Sequence, residues 1–140
     1  MIKITHATKA DVAAIYEMNL LFGNNASEES IARSLAEEYD QIVAIASVDG
    51  IAAGFASGRV VKSICYEDHR GDIEALFVRE EYRHQGIGKA LMLFMEAAFV
   101  DRGIEHLHIC VMKANDTAYG LYTGLGFQDN GELLLEKDTI

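Results

Sequence analysis

The sequence has no proline, only two cysteines, few basic residues and no long apolar run. Each shortage excludes something. Without proline, collagen-like and proline-rich architectures are ruled out. Cys65 and Cys110 are too few for a disulfide framework, and reduced thiols in a cytoplasmic protein are expected instead. The longest apolar run, Ala90 to Met95, stops at Glu96, far short of the roughly 20 residues that span a bilayer. No membrane association is expected. Lys and Arg number 12 against 22 Asp and Glu, a net charge of −10. That balance argues against a protein that wraps nucleic-acid phosphates. The N-terminus carries Lys3, Lys9, Asp11 and Glu17 without a continuous apolar stretch, so no signal peptide is expected.

What is present is ordinary globular composition. Half of the 140 residues are hydrophobic and 24% are charged, which supports a packed core. The length suits one domain over residues 1–140. The acidic residues are spread evenly over both halves, and no linker or repeat is visible.

Periodicity and punctuation place the elements. Met1 to Thr5 reads as a strand. Thr8 and Asp11 open a helix as a capping pair, with Val12, Ile15, Tyr16, Asn19 and Phe22 on one face. Gly23-Asn24-Asn25 ends it, and Ser27 caps a second helix that begins with Glu28 and Glu29. Gln41 to Val48 and Ile51 to Val61 are β-rich runs around Asp49-Gly50, a hairpin signal. Ile73 to Arg79 is a further strand. Gly86 to Arg102 is the clearest helix, with Ile87, Leu91, Phe94 and Ala98 on one face and Gly103 after its end. Glu105 to Met112 reads as a strand. Asn115 caps a short helix ending near Gly126. Phe127 to Asp129 and Glu132 to Lys137 flank Asn130-Gly131 as a second predicted hairpin. The predicted order is β-α-α-β-β-β-α-β-α-β-β, a mixed, twisted α/β sheet.

The segment Arg83-His84-Gln85-Gly86-Ile87-Gly88-Lys89 joins a strand to the best helix. Glycines there let backbone N–H groups approach an anion, and the helix N-terminus adds partial positive charge. From Arg79 to Lys89 three bases face two acids, +1 in a chain of −10. A phosphate or pyrophosphate is the expected ligand. A Walker A loop would need Gly at Arg83 and Ser or Thr at Ala90. A dinucleotide fingerprint would need Gly or Ala at Leu91. Neither pattern is met.

Arg83-x-x-Gly86-x-Gly88, preceded by Leu76-Phe77-Val78 and Tyr82, resembles the acyl-CoA pyrophosphate loop of the GNAT N-acetyltransferase superfamily. A second segment is similar to that family's Asn-x-x-Ala-x-x-Leu-Tyr-x-x-x-Gly-Phe pattern: Asn115, Ala118, Leu121, Tyr122, Gly126 and Phe127. The family often has proline where Glu80 stands and glycine where His84 stands, so the loop geometry is the point of departure.

The resemblance implies transfer of an acetyl group from acetyl-CoA to a primary amine, by direct attack in a ternary complex. A non-catalytic acyl-CoA-binding module on the same fold is the alternative. The backbone from Arg83 through His84, Gln85, Gly86, Ile87 and Gly88, with Lys89, would hold the pyrophosphate. Leu76, Phe77 and Val78 would pair with the pantetheine amides like an added strand. Asn115 would sit beside the pantetheine arm, or act only as a helix cap. Tyr122 aligns with the tyrosine that protonates the departing thiolate, with Tyr119 as the fallback; packing alone is the competing use. Glu74 would serve as general base, against a plain solvated carboxylate. It alternates with Asp72, and so shares its face.

Cys110 reads as an inert core residue. His106 and His108 share a strand face but lack a third ligand, so no metal is expected. His6, His69 and His84 read as isolated surface residues. The acceptor is a small-molecule or peptide amine. In the family it docks against the first two helices and the strand-end loops. Glu28, Glu29, Glu67 and Asp68 there would suit a cationic one. Homodimers are frequent in the family, though the sequence carries no dimer signature.

Overall fold

The computed structural model describes residues 1–37 and 40–140. The chain packs as two bodies, Met1–Ile109 and Cys110–Ile140. In the first, Ile2–His6 (β1), Gln41–Val48 (β2), Ile51–Val61 (β3), Arg70–Val78 (β4) and Leu107–Ile109 (β5) form one sheet in that order. Neighbours pair antiparallel except β4 with β5, which run parallel. Val12–Phe22 (α1), Glu28–Glu37 (α2) and Ile87–Asp101 (α3) complete it.

Local chemistry fixes most boundaries. Thr8 and Asp11 form a reciprocal capping box over a 3-10 turn that leads into α1, and Gly23 leaves α1 in the left-handed conformation, φ 92°. The Ser27 hydroxyl accepts the Ser30 N–H at 3.1 Å. Asp49 and Gly50 have φ 50° and 82°, the double positive φ of a type I′ hairpin turn.

The sheet separates two helical layers. Phe55 and Phe77 face α1 and α2, packing in one core with Ile15, Met18, Ile31 and Ile45. On the other face α3 buries Ile87, Leu91, Met92, Met95, Ala98 and Phe99. The expected stripe holds except at Phe94, which sits half-buried with its ring 4.8 Å from His6, edge to face. Phe99 reaches the sheet because two strand positions lack side chains. A Cβ on Gly58 would lie 2.9 Å from its ring, and one on Gly71 would lie 2.7 Å from it.

Alternation along β4 is broken once. Ile73 pairs with Gly58 and Ala75 with Ser57, so Glu74 is the extra residue of a β-bulge. A regular strand would put Ile73, Ala75 and Phe77 on one face. The bulge instead gives Ala75 and Phe77 to the α1/α2 core.

The second body contains Asp116–Gly124 (α4). The hairpin predicted for 127–137 is not formed: among the described residues, 127–140 contains no strand. Only a bend stands at its centre, with Gly131 at φ 80° and Asn130 outside the left-handed region that an Asn-Gly hairpin turn needs. There the N–H groups of Gly131 and Glu132 go to the side chains of Asp129 and Asn130, at 2.8 and 3.0 Å. Leu133, Leu134 and Leu135 are consecutive and exposed, so this stretch offers no single apolar face, and an isolated two-stranded hairpin is marginal in water. Likewise β5 ends at Ile109, before Met112, because pairing to β4 covers only residues 71–73. Cys110 therefore lies beyond the strand and is exposed, not buried in a core. Among the described residues no helix is long and apolar enough to cross a membrane.

Candidate active site

The glycine loop forms at the end of β4. After a 3-10 turn at Glu80–Tyr82 the chain passes through His84 at φ 64° and Gly86 at φ 82°. The first is the position where the resemblance expected glycine, and the imidazole-bearing residue adopts the glycine conformation anyway. No side chain caps the start of α3. Its first N–H groups are therefore available to an anion. Gly86 opens α3, with Ile87 buried and Lys89 exposed in the first turn. Gly88 lies between them. Arg83 folds back: its Nε donates to the Val78 carbonyl at 3.0 Å, and its guanidinium carbon sits 6.0 Å from the Phe77 ring centroid. Gln85 reaches the Glu81 carbonyl at 3.5 Å.

β4 supplies an open edge beside this loop. Its residues pair with β5 only at Gly71, Asp72 and Ile73. From Glu74 to Val78 the strand pairs with β3 alone among the described residues. Leu76 and Val78 are half-buried and Phe77 is buried. Backbone groups on that side can receive an extended ligand as an added strand.

A cavity of about 510 Å³ lies on the α1/α2 side of the sheet, a size suited to a small-molecule ligand. Glu74 and Ala75, consecutive residues, both line it because of the bulge. The Glu74 Oε1 lies 3.7 Å from Arg59 Nε. Asp72 is engaged elsewhere. Its carboxylate takes Arg70 Nε at 2.9 Å, and His108 Nδ1 lies 4.0 Å away. His106 and His108 meet Nε2 to Nε2 at 3.0 Å. The surface acids Glu28, Glu29, Glu67 and Asp68 do not line the cavity.

Two lining residues escaped the sequence reading. Arg59 interrupts the apolar run of β3, and Gln41 opens β2 directly opposite it in register. The Gln41 Oε1 is buried with no partner among the described residues. The available signal was a polar residue inside an otherwise apolar strand.

In the second body Asn115 caps α4, its Oδ1 accepting the Ala118 N–H at 3.1 Å. That is the capping use, and it leaves the side-chain amide N–H₂ uncommitted to the cap. Tyr122 is buried, its ring 6.1 Å from Phe127 and edge to face. Burial pushes its phenol above the ordinary 10.0, so it stays protonated at neutral pH. Tyr119 is exposed.

Sheet, open strand and glycine loop make up a mixed α/β fold with an exposed strand edge beside an uncapped helix N-terminus, and comparison with known proteins gives its family. The model of the acetyltransferase (GNAT) family matches residues 12–127. An acetyltransferase of Yersinia pestis strain Pestoides F is 30% identical over 116 residues, which cover 83% of this chain and 77% of that protein. A solved structure of AAC(6')-Iy in complex with a bisubstrate analog shares the fold at TM-score 0.89. It is 16% identical and covers 100% of this chain and 99% of its own. The ribosomal-protein-alanine N-acetyltransferase of Brucella melitensis biovar Abortus 2308 gives a TM-score of 0.82 at 15% identity, covering 99% of this chain and 100% of its own. The chain belongs to the acetyltransferase (GNAT) family and is an acetyltransferase.

Proposed function

We propose that this chain transfers acetyl from acetyl-CoA to the primary amine of a small acceptor, by direct attack in a ternary complex. One observation carries the reading: the half of β4 without a β5 partner runs straight into a glycine loop and an uncapped helix N-terminus. A pantetheine arm pairs with Leu76, Phe77 and Val78, and the pyrophosphate takes N–H groups from Arg83 through Lys89. Asn115 lends its amide N–H₂ to the pantetheine. The two bodies act as one N-acetyltransferase domain over 1–140, a reading supported by a family match that runs through the boundary at 109/110. The bound carrier competes with Arg83 for the Val78 carbonyl, so Arg83 moves toward the phosphates when it binds.

An alkyl amine has a pKa near 10, so only about one in a thousand is neutral at pH 7. Glu74 at the cavity wall removes the ammonium proton. The amine nitrogen then bonds to the thioester carbonyl carbon while a strand N–H near Phe77 or Val78 stabilises the oxygen. The C–S bond breaks, the sulfur takes the Tyr122 proton, and the surplus proton on the new amide nitrogen passes through solvent to the Tyr122 phenolate. Burial suits Tyr122 to keep that proton until the thiolate forms. The test is incubation with acetyl-CoA and a panel of amines, followed as free thiol and acetylated product. No thiol release across polyamines, aminoglycosides, amino acids and peptides would overturn the reading.

A further inference from the structure

His106 and His108 lie outside the proposed acyl-transfer machinery. Two places apart at the start of β5, they direct their side chains to one face of the sheet. Their backbones are held in place. The His106 carbonyl accepts the Gly71 N–H at 2.9 Å, and His108 stands in register with Asp72 on β4. The imidazoles meet Nε2 to Nε2 at 3.0 Å, with ring centroids 4.8 Å apart and planes inclined at 75°. Rings joined head-on by a linear N–H···N bond would hold their centroids more than about 5 Å apart, so a hydrogen bond alone explains the arrangement poorly. Two nitrogens bound at right angles to one ion, each about 2.1 Å from it, lie about 3.0 Å apart. Behind the pair, His108 Nδ1 faces Asp72 Oδ1 at 4.0 Å. A carboxylate on that side of a ligating imidazole favours the proton on Nδ1 and leaves the Nε2 lone pair for a metal. His106 is exposed and His108 partly so, which lets an ion reach both from solvent.

We propose that His106 and His108 form a two-imidazole site for a divalent first-row transition ion with right-angle coordination, Cu(II) and Ni(II) being the type. The site is independent of the transferase reading above. Among the described residues no third His, Cys, Asp or Glu completes the set, so the remaining positions belong to water or to an incoming donor group. The sequence argued against a metal because that third ligand is lacking. The strand supplies instead a preformed chelate, its two nitrogens already at the bite of one ion. His106 offers its Nε2 lone pair by carrying its proton on Nδ1, so the neutral pair loses no proton on binding. Tetrahedral Zn(II) wants its nitrogens about 3.4 Å apart and fits less well.

The test titrates Ni(II) into the untagged chain by calorimetry, with Cu(II) in parallel for the nitrogen splitting of its electron-spin resonance. The parent should bind one Ni(II), and the Cu(II) spectrum should show two nitrogen ligands. His106→Gln and His108→Gln should each weaken Ni(II) binding at least about tenfold, as loss of one arm of a chelate does, and the double variant should abolish it. Urea midpoints equal to the parent's show that the variants are folded. Cys65→Ser and Cys110→Ser should bind Ni(II) as the parent does. Absence of both the Ni(II) heat and the Cu(II) splitting in the parent overturns the proposal. So does a His106 or His108 variant that binds as the parent does, or loss of binding in either serine variant.

Discussion

The two halves of β4 differ in their neighbours. From Arg70 to Ile73 the strand lies between β3 and β5. Its charge is answered on the spot, Asp72 by Arg70, and its glycine makes room for Phe99. From Glu74 to Val78 it has, among the described residues, β3 on one side only. Glu74 and Ala75 both line a cavity, and Phe77 and Val78 run on toward the glycine loop. The dividing point is a single extra residue, Glu74. A bulge ends regular pairing and re-aims side chains, so one inserted carboxylate separates the half that holds the sheet together from the half that borders the cavity and the glycine loop.

The sharpest way to break that contrast is to block the loop that the open half feeds. Gly86→Glu places a carboxylate where the pyrophosphate is proposed to lie, at a φ of 82°. Acetyl-CoA affinity should fall at least a hundredfold, about 2.7 kcal/mol, by titration calorimetry. Gly86→Ala brings similar backbone strain without the charge and should lose much less. Affinity equal to the parent in Gly86→Glu would remove the loop from the site.

Tyr122 separates chemistry from frame. Tyr122→Phe should lower kcat about tenfold to a hundredfold with acetyl-CoA affinity unchanged; an unchanged rate removes it from the mechanism. It also has a stability signature. Because burial raises its pKa above 10.0, the phenol is neutral in both folded and unfolded chains below about pH 10. Above that the unfolded phenol ionises first, so folding stability falls with pH until the folded pKa is passed. In urea unfolding between pH 9 and 11 the phenylalanine variant should show a shallower decline.

The paired half is tested by Gly71→Ala. The added methyl would lie 2.7 Å from both Leu107 and Phe99. Overpacking of this kind costs about 1–3 kcal/mol, read as a lower urea midpoint. The kinetic constants of the folded enzyme should not move. A change in acetyl-CoA affinity would mean that the two halves are not independent.

This division was only half legible in the sequence. Elements whose punctuation is local were readable: the Thr8–Asp11 capping box, the Asp49-Gly50 turn and the glycine entry to α3 each use a side chain or φ angle set within a few residues. The bulge was not. Alternation assigned Ile73, Ala75 and Phe77 to one face, and only the register against Ser57 and Gly58 splits them. Arg59 and Gln41 were missed for the same reason, since each gains meaning from the residue across the ladder. The C-terminal hairpin was over-read. Asn130-Gly131 forms only a bend, three adjacent leucines cannot alternate, and side chains take the N–H groups of Gly131 and Glu132.

The smallest expected effect comes from His84→Gly. His84 holds φ 64°, a conformation that costs an L-residue about 1–2 kcal/mol. Glycine removes that strain but adds freedom to the unfolded chain, and freedom of this kind is worth about 0.4–1 kcal/mol. The net gain should be about 0.5 kcal/mol, a Tm rise of about 1–2 °C for a chain of this length. If the loop holds phosphate through its backbone, acetyl-CoA affinity stays within twofold of the parent while stability rises. A tenfold loss of affinity would instead show that the imidazole itself reaches the phosphates, and the open half of β4 would then lead to a site read by side chains as well as by backbone.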